Sequence, residues 1–283
     1  MSIVVAGATG HLGGLVVASL LNRGVNPGQI LATGRSTDRL AALAERGVHV
    51  AELDYNKPAD DVISAGDTVL LISGSEVGQR LDQHRNVIEL AERAGAARMV
   101  YTSVLRADNS TLAVAPEHIA TEEILKASGA AYTILRNGWY NENYEQTFAQ
   151  AAQSGVVVTS AGDGRVSSAS REDFAEAATA VLTGEGHDGV TYELAGDTAL
   201  TMRDLADIFT TVLGRPIKLQ NLTSEEHRAV LTRAGLDDLI VEFLVTLDRS
   251  TAGGDLFDQT GDLSRLISRP TTPIAESVAS WNA

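Results

Sequence analysis

Three glycines within Gly7-Ala8-Thr9-Gly10-His11-Leu12-Gly13 offer what a diphosphate needs, backbone N–H groups with no side chain in the way. Ile3 to Ala6 before them reads as a buried strand. Leu12, Val16 and Leu20 after them form one apolar stripe of a helix. Set between strand and helix, the G-x-x-G-x-x-G spacing is the turn of a nucleotide-binding βα unit, with Gly13 allowing the helix to close on the sheet. The candidate contacts of the turn are Gly7, Thr9, Gly10, His11, Leu12 and Gly13.

The end of the second strand selects the nucleotide. Dinucleotide folds that take NAD place a carboxylate there for the ribose hydroxyl, whereas a basic side chain suits the extra phosphate of NADP. Thr33-Gly34-Arg35-Ser36 supplies Arg35 and no carboxylate, so NADPH is the expected cofactor. The bland alternative for Arg35 is a solvated loop arginine. Asp54 after the third strand could face the adenine amine or simply hold a turn. Ser73, Gly74 and Ser75 after the fourth strand could pass beside the ribose.

Candidates for the reacting end come later. Thr102 and Ser103 end the fifth strand, Asn137 and Gly138 the sixth, and Tyr140 and Asn143 follow in a polar, aromatic segment that runs to Tyr144. Thr102 and Asn137 join the cofactor contacts, Gly138 would let backbone approach the carboxamide, and Tyr140 and Asn143 could orient a flat acceptor. Trp139 reads better as core packing. His84, inside a long helix, reads as a packed or capping side chain. Glu225-Glu226 and Asp237-Asp238 look like solvated helix charges.

These residues need a scaffold that brings strand ends together, and the chain alternates accordingly. Strands are expected at Gln29 to Thr33, Val48 to Leu53, Thr68 to Ile72, Arg98 to Thr102 and Tyr132 to Leu135. Helices are expected at Thr37 to Arg46, Gln79 to Ala94 and Pro116 to Ser128. Such βα alternation predicts an α/β fold, a doubly wound parallel Rossmann sheet in the order 3-2-1-4-5-6, with its ligand across the carboxyl ends of the strands. Residues 1–136 form the expected NADP-binding domain, and a late strand near 191–195 rejoins its sheet. Residues 137–283 form a smaller, mostly helical lid over the substrate, with helices near Asn143 to Ser154, Arg171 to Thr183, Met202 to Leu213 and Ser224 to Ala234.

Composition narrows the partners. The 283 residues carry 37 acidic against 22 basic side chains, a formal charge of −15 with no basic cluster, which repels a nucleic-acid backbone. No cysteine is present, so disulfides and a thiol nucleophile are excluded, and the six histidines show no metal-ligand spacing. No apolar run is long enough for a membrane span, and the first strand begins at Ile3, so a cytoplasmic protein without a signal peptide is expected. A homodimer stays open.

The motifs Gly7 to Gly13, Ser73-Gly74-Ser75-Glu76-Val77-Gly78-Gln79-Arg80, Tyr101-Thr102-Ser103 and Leu135-Arg136-Asn137-Gly138-Trp139-Tyr140 resemble the NmrA-like branch of the atypical short-chain dehydrogenase/reductases. The resemblance extends to Tyr192-Glu193-Leu194-Ala195-Gly196-Asp197 and Pro270-Thr271-Thr272. It implies an NADPH-binding domain, a lid and the reduction of quinones, in a branch that also holds dye reductases and regulators that bind the dinucleotide without chemistry. The departure from the wider superfamily is instructive. Where a Tyr-x-x-x-Lys dyad would stand, the helix reads Glu117-His118-Ile119-Ala120-Thr121-Glu122, although Ser103 fits the usual serine. If His118 takes the tyrosine position, Glu122 beside it would favour a protonated imidazole. A surface helix histidine is the other reading, and Ser103 reads better as a hydroxyl touching cofactor than as a proton donor. A quinone that accepts hydride becomes a delocalised hydroquinone anion and needs no strong acid. The expected activity is therefore direct hydride transfer from NADPH to quinones or similar planar acceptors, with a redox-sensing binding protein as the alternative.

Overall fold

The computed structural model describes residues 1–282. Its first half alternates β1 (Ile3–Ala6), α1 (His11–Asn22), β2 (Ile30–Gly34), α2 (Ala41–Ala44), β3 (His49–Glu52), β4 (Thr68–Leu71), α3 (Arg80–Ala94), β5 (Arg98–Val104), α4 (Ala115–Ala127) and β6 (Ala131–Asn137). After these come α5 (Glu145–Ser154), β7 (Val156–Thr159), β8 (Arg165–Val166), α6 (Arg171–Thr183), β9 (Val190–Leu194), β10 (Leu200–Thr201) and α7 (Met202–Leu213). The chain continues through β11 (Lys218–Asn221), α8 (Ser224–Arg233), α9 (Asp238–Ala252), α10 (Asp262–Ile267) and α11 (Ile274–Trp281).

Seven parallel strands form the main sheet in the order β3-β2-β1-β4-β5-β6-β9, so the expected 3-2-1-4-5-6 order holds and the late strand adds beside β6. The central strands are apolar on both faces because both faces are covered by helices. Val5, Val100, Leu135 and Leu194 face α1, α6 and α10, whereas Val4, Leu71, Tyr101 and Ile134 face α3 and α4. The strand order reverses between β1 and β4, which opens a crevice at their carboxyl ends.

The helix expected over Thr37 to Arg46 is corrected. Thr37–Leu40 is a 3₁₀ turn and only Ala41–Ala44 is α-helical. Leu40 is the one buried residue of these two pieces, too small an apolar face to hold a longer helix.

The second half builds a third core from Phe148, Leu205, Phe209, Ile274 and Val278, with Trp281 packed on it. It also carries two small sheets that periodicity did not suggest, β7 with β11 and β8 with β10. Their strands have two to four residues, too short for an alternation to register. Among the described residues no helix is long and apolar enough to cross a membrane.

Candidate active site

A cavity of about 420 Å³ runs along the carboxyl edge of the sheet. Its wall contains Gly7, Thr9, Gly10, His11, Leu12 and Gly13 from the first turn, Arg35 after β2, Asp54 after β3, Ser73, Gly74 and Ser75 after β4, Thr102 of β5, and Tyr140. The turn is built for close approach. Gly7 has φ +89°, and a Cβ on Gly13 would stand 2.3 Å from the Gly7 carbonyl oxygen. Gly10 caps α1 without a side-chain hydrogen bond, and the first turn of α1 holds no acidic residue. The leading N–H groups of α1 therefore face the cavity side with no side-chain cap competing, an arrangement that fits a diphosphate.

Charge marks the outer rim. Arg35, with 66% of its side chain exposed, donates from Nη1 to Glu76 Oε1 at 2.7 Å. Gln83 Nε2 donates to the other Glu76 oxygen at 2.9 Å. Asp54 holds a turn, accepting the Asn56 N–H at 2.9 Å, and also lines the cavity, so its two readings are compatible.

The loop after β4 is anchored from beneath. Ser73 N–H donates to Thr102 Oγ1 at 2.9 Å, Gly74 N–H donates to His84 Nε2 at 2.9 Å, and Arg80 Nε donates to the Gly74 carbonyl at 2.7 Å. Since Nε2 accepts, the neutral His84 carries its proton on Nδ1, 3.0 Å from Thr121 Oγ1. Burial, then the neighbouring His118 and Arg80, lowers the His84 pKa to about 3. The packed helix histidine is a fixed support for the loop.

Ser103 and His118, expected at the reacting end, lie behind this wall on the α4 face of β5, and neither lines the cavity. Ser103 Oγ donates to Glu122 Oε1 at 2.6 Å, and Arg136 donates to the two Glu122 oxygens at 2.9 and 2.7 Å. Arg136 also reaches Asp108 at 2.7 Å and Glu193 at 2.9 Å. Glu122 is thus engaged by Ser103 and Arg136 and does not charge His118. His118 is only 5% exposed, so it is not a surface histidine either, and its Nδ1 lies 2.7 Å from the Tyr101 hydroxyl. Burial, then Arg80, lowers its pKa to about 3, so the expected protonated imidazole is replaced by a neutral one.

Asn137 and Gly138 are near the cavity but outside its wall. Asn137 Nδ2 donates to the Tyr140 hydroxyl at 3.3 Å, and its buried Oδ1 has no partner. Gly138 donates its N–H to the Leu194 carbonyl at 2.8 Å, and a Cβ there would come within 2.9 Å of the same oxygen. Close packing on the end of β9 is what requires glycine at this position. Asn143 is exposed, with Oδ1 3.5 Å from Arg171 Nη2. Trp139 packs with Leu112, Val166 and Leu256. Glu226 and Asp237 are more than solvated charges, since they cap α8 and α9.

Sequence reasoning missed Arg171. It lines the cavity from the start of α6, with its guanidinium carbon 5.1 Å from the centre of the Tyr140 ring. Nothing local marks it, because the ring it stacks on is 31 residues away. Glu76, 41 residues from Arg35, escaped for the same reason.

Comparison with known proteins agrees with this geometry. An NAD(P)H-binding family model matches residues 7–185. Quinone oxidoreductase 2 of Escherichia coli is 45% identical over 98% of this chain and 97% of its own length. The crystal structure of that NADPH-dependent enzyme with NADPH superposes with a TM-score of 0.94, covering 98% of this chain and 99% of the other. Triphenylmethane reductase of Citrobacter sp., solved with NADP(H), gives 0.93 at 34% identity over 99% of this chain and all of the other. The NAD(P)H azoreductase of Xenophilus azovorans is 24% identical over 97% of this chain and 96% of its own length. The chain belongs to the NAD(P)H-binding family.

Proposed function

We propose that this protein is an NADPH-dependent reductase of quinones and similar planar, conjugated acceptors. The observation that carries the proposal is a single cavity that joins the phosphate-ready glycine turn and Arg35 to Thr102 and Tyr140. The names of its relatives, a quinone oxidoreductase, a dye reductase and an azoreductase, support the same class of acceptor.

In this reading the N–H groups of His11 to Gly13 receive the diphosphate, Arg35 leaves Glu76 for the ribose phosphate, and Asp54 borders the adenine. Ser73 to Ser75 flank the ribose on a loop fixed by His84 and Arg80. Asn137, with its unpartnered Oδ1, and Thr102 orient the carboxamide end, and Tyr140 offers a flat wall to the acceptor. Bound NADPH supplies a hydride to the quinone, and the hydroquinone anion then takes a proton from water. Ser103 and His118 are held in a buried network, so the chain contributes position instead of a proton. Holding donor and acceptor in line removes most of the entropic barrier to the transfer. The test is the loss of NADPH absorbance by pure protein with and without benzoquinone. Turnover with NADPH and weak turnover with NADH supports the reading. Tight NADPH binding with no reduction of quinone or dye would replace it with the redox-sensing role.

A further inference from the structure

Two arginines line the cavity, and their surroundings differ. Arg35 is paired with Glu76, whereas Arg171 makes no ion pair among the described residues. Its guanidinium lies over the Tyr140 ring and touches Asn143 Oδ1 at 3.5 Å, while its backbone N–H is fixed by the Glu142 carboxylate at 3.0 and 3.1 Å. Among the described residues no carboxylate pairs with this guanidinium, and the nearby Glu142 is engaged with the backbone N–H. The end of α6 itself is already satisfied, since Ser170 and Asp173 form a capping box, so any anion here would meet the side chain.

The position of that cation follows from packing. Tyr140 meets Phe174 of α6 edge to face at 5.1 Å and packs on the cluster that contains Leu12, in the first turn of α1. Helix α6 lies along α1. Arg171 and the glycine turn line the same cavity. That turn lacks a full charge of its own from any strong base, because no Lys or Arg occurs from Gly7 through Asn22. Backbone dipoles alone would face a diphosphate that carries about two negative charges, and a guanidinium fork is the side chain best matched to its oxygens.

We propose that Arg171 binds the dinucleotide's diphosphate from the α6 side of the cleft, with Tyr140 and Asn143 as the platform that aims it. The proposal rests on the reading that NADPH occupies this cavity. It divides the two cations by target: Arg35 reads the ribose phosphate, and Arg171 reads a group that NADPH and NADH share.

Dissociation constants for NADPH and NADH, read from nucleotide fluorescence, test the division in wild type, Arg171→Gln and Arg171→Lys. Arg171→Gln should weaken both dinucleotides by the same factor, about ten- to hundred-fold, the scale of a lost charge-assisted hydrogen bond. Arg171→Lys should recover part of that loss. If Arg171→Gln melts below wild type in the absence of nucleotide, the lysine variant decides, and failure of lysine to differ from wild type for either nucleotide counts against the proposal. Unchanged binding in both variants overturns it. So does a loss confined to NADPH, or a raised KM for quinone with both dissociation constants unchanged, which would move Arg171 to the acceptor. A wild-type protein that binds neither dinucleotide would overturn the functional reading itself, and this assignment with it.

Discussion

The rim of the cofactor cleft and the layer between β5 and α4 are both rich in charge, yet they are built on opposite principles. On the rim, Arg35 and Glu76 meet in solvent, with 66% and 35% of their side chains exposed. Behind the wall, Arg136 and Glu122 are 7% and 2% exposed and bridge β6 to α4. An exposed pair contributes little to stability and can part when a ligand competes for one member. A buried pair stripped of one member leaves an uncompensated charge. The rim is thus suited to exchanging partners and the inner layer to holding strand ends in place.

The largest effect should come from removing one carboxylate of the inner layer. Glu122→Ala should destabilise the fold by about 3–5 kcal/mol, measured by urea unfolding. Glu76→Ala on the rim should stay within about 1 kcal/mol. Equal losses would break the distinction.

Arg35→Ala comes next, read on binding instead of stability. It should weaken NADPH by about 1.5–3 kcal/mol, roughly ten- to hundred-fold, with NADH changed by less than about two-fold. An equal loss for both cofactors would make Arg35 a loop support.

The buried histidines give a smaller effect with a defined sign. The folded states of His84 and His118 hold pKa values near about 3, below the ordinary value of 6.5. The unfolded chain therefore binds protons that the folded chain refuses, and stability falls as pH drops below about 6.5 toward about 3. From about pH 7 to about pH 5.5 each histidine should remove roughly 1 kcal/mol, and His118→Gln should remove its share of that slope. A slope unchanged in the variant would place the protonation elsewhere.

The smallest effect probes the rim again. Glu76→Gln should free Arg35 and tighten NADPH by about two- to five-fold at low salt, with the gain shrinking as salt screens the exposed pair. Weaker binding would mean that Glu76 helps aim Arg35.

What could be read from the sequence follows the range of the interactions. The sheet order, the glycine turn and the strand-end residues Arg35, Ser73 and Thr102 were legible because buried parallel strands are continuous apolar runs punctuated by turns. The short pieces were not, since Ala41–Ala44 and the two-residue strands β8 and β10 owe their form to contacts made elsewhere. His118 looked like an acid beside Glu122 because the two are one helical turn apart. The packing of α4 on β5 and β6 instead gives Glu122 to Ser103 and Arg136, and His118 to Tyr101. Helix spacing shows which side chains share a face, and only the opposing strand decides their partners. Arg171 depends on the same kind of distant partner.

Steady-state reduction of benzoquinone by His118→Gln and Ser103→Ala, at saturating NADPH, separates scaffold from chemistry. If these residues only hold the strand ends, kcat should fall by less than about ten-fold, below the usual general-acid contribution, and the pH profile of kcat should keep its shape. A fall beyond about a hundred-fold with NADPH binding intact, and with the pH profile altered, would contradict reduction by positioning and return proton transfer to the layer behind the wall.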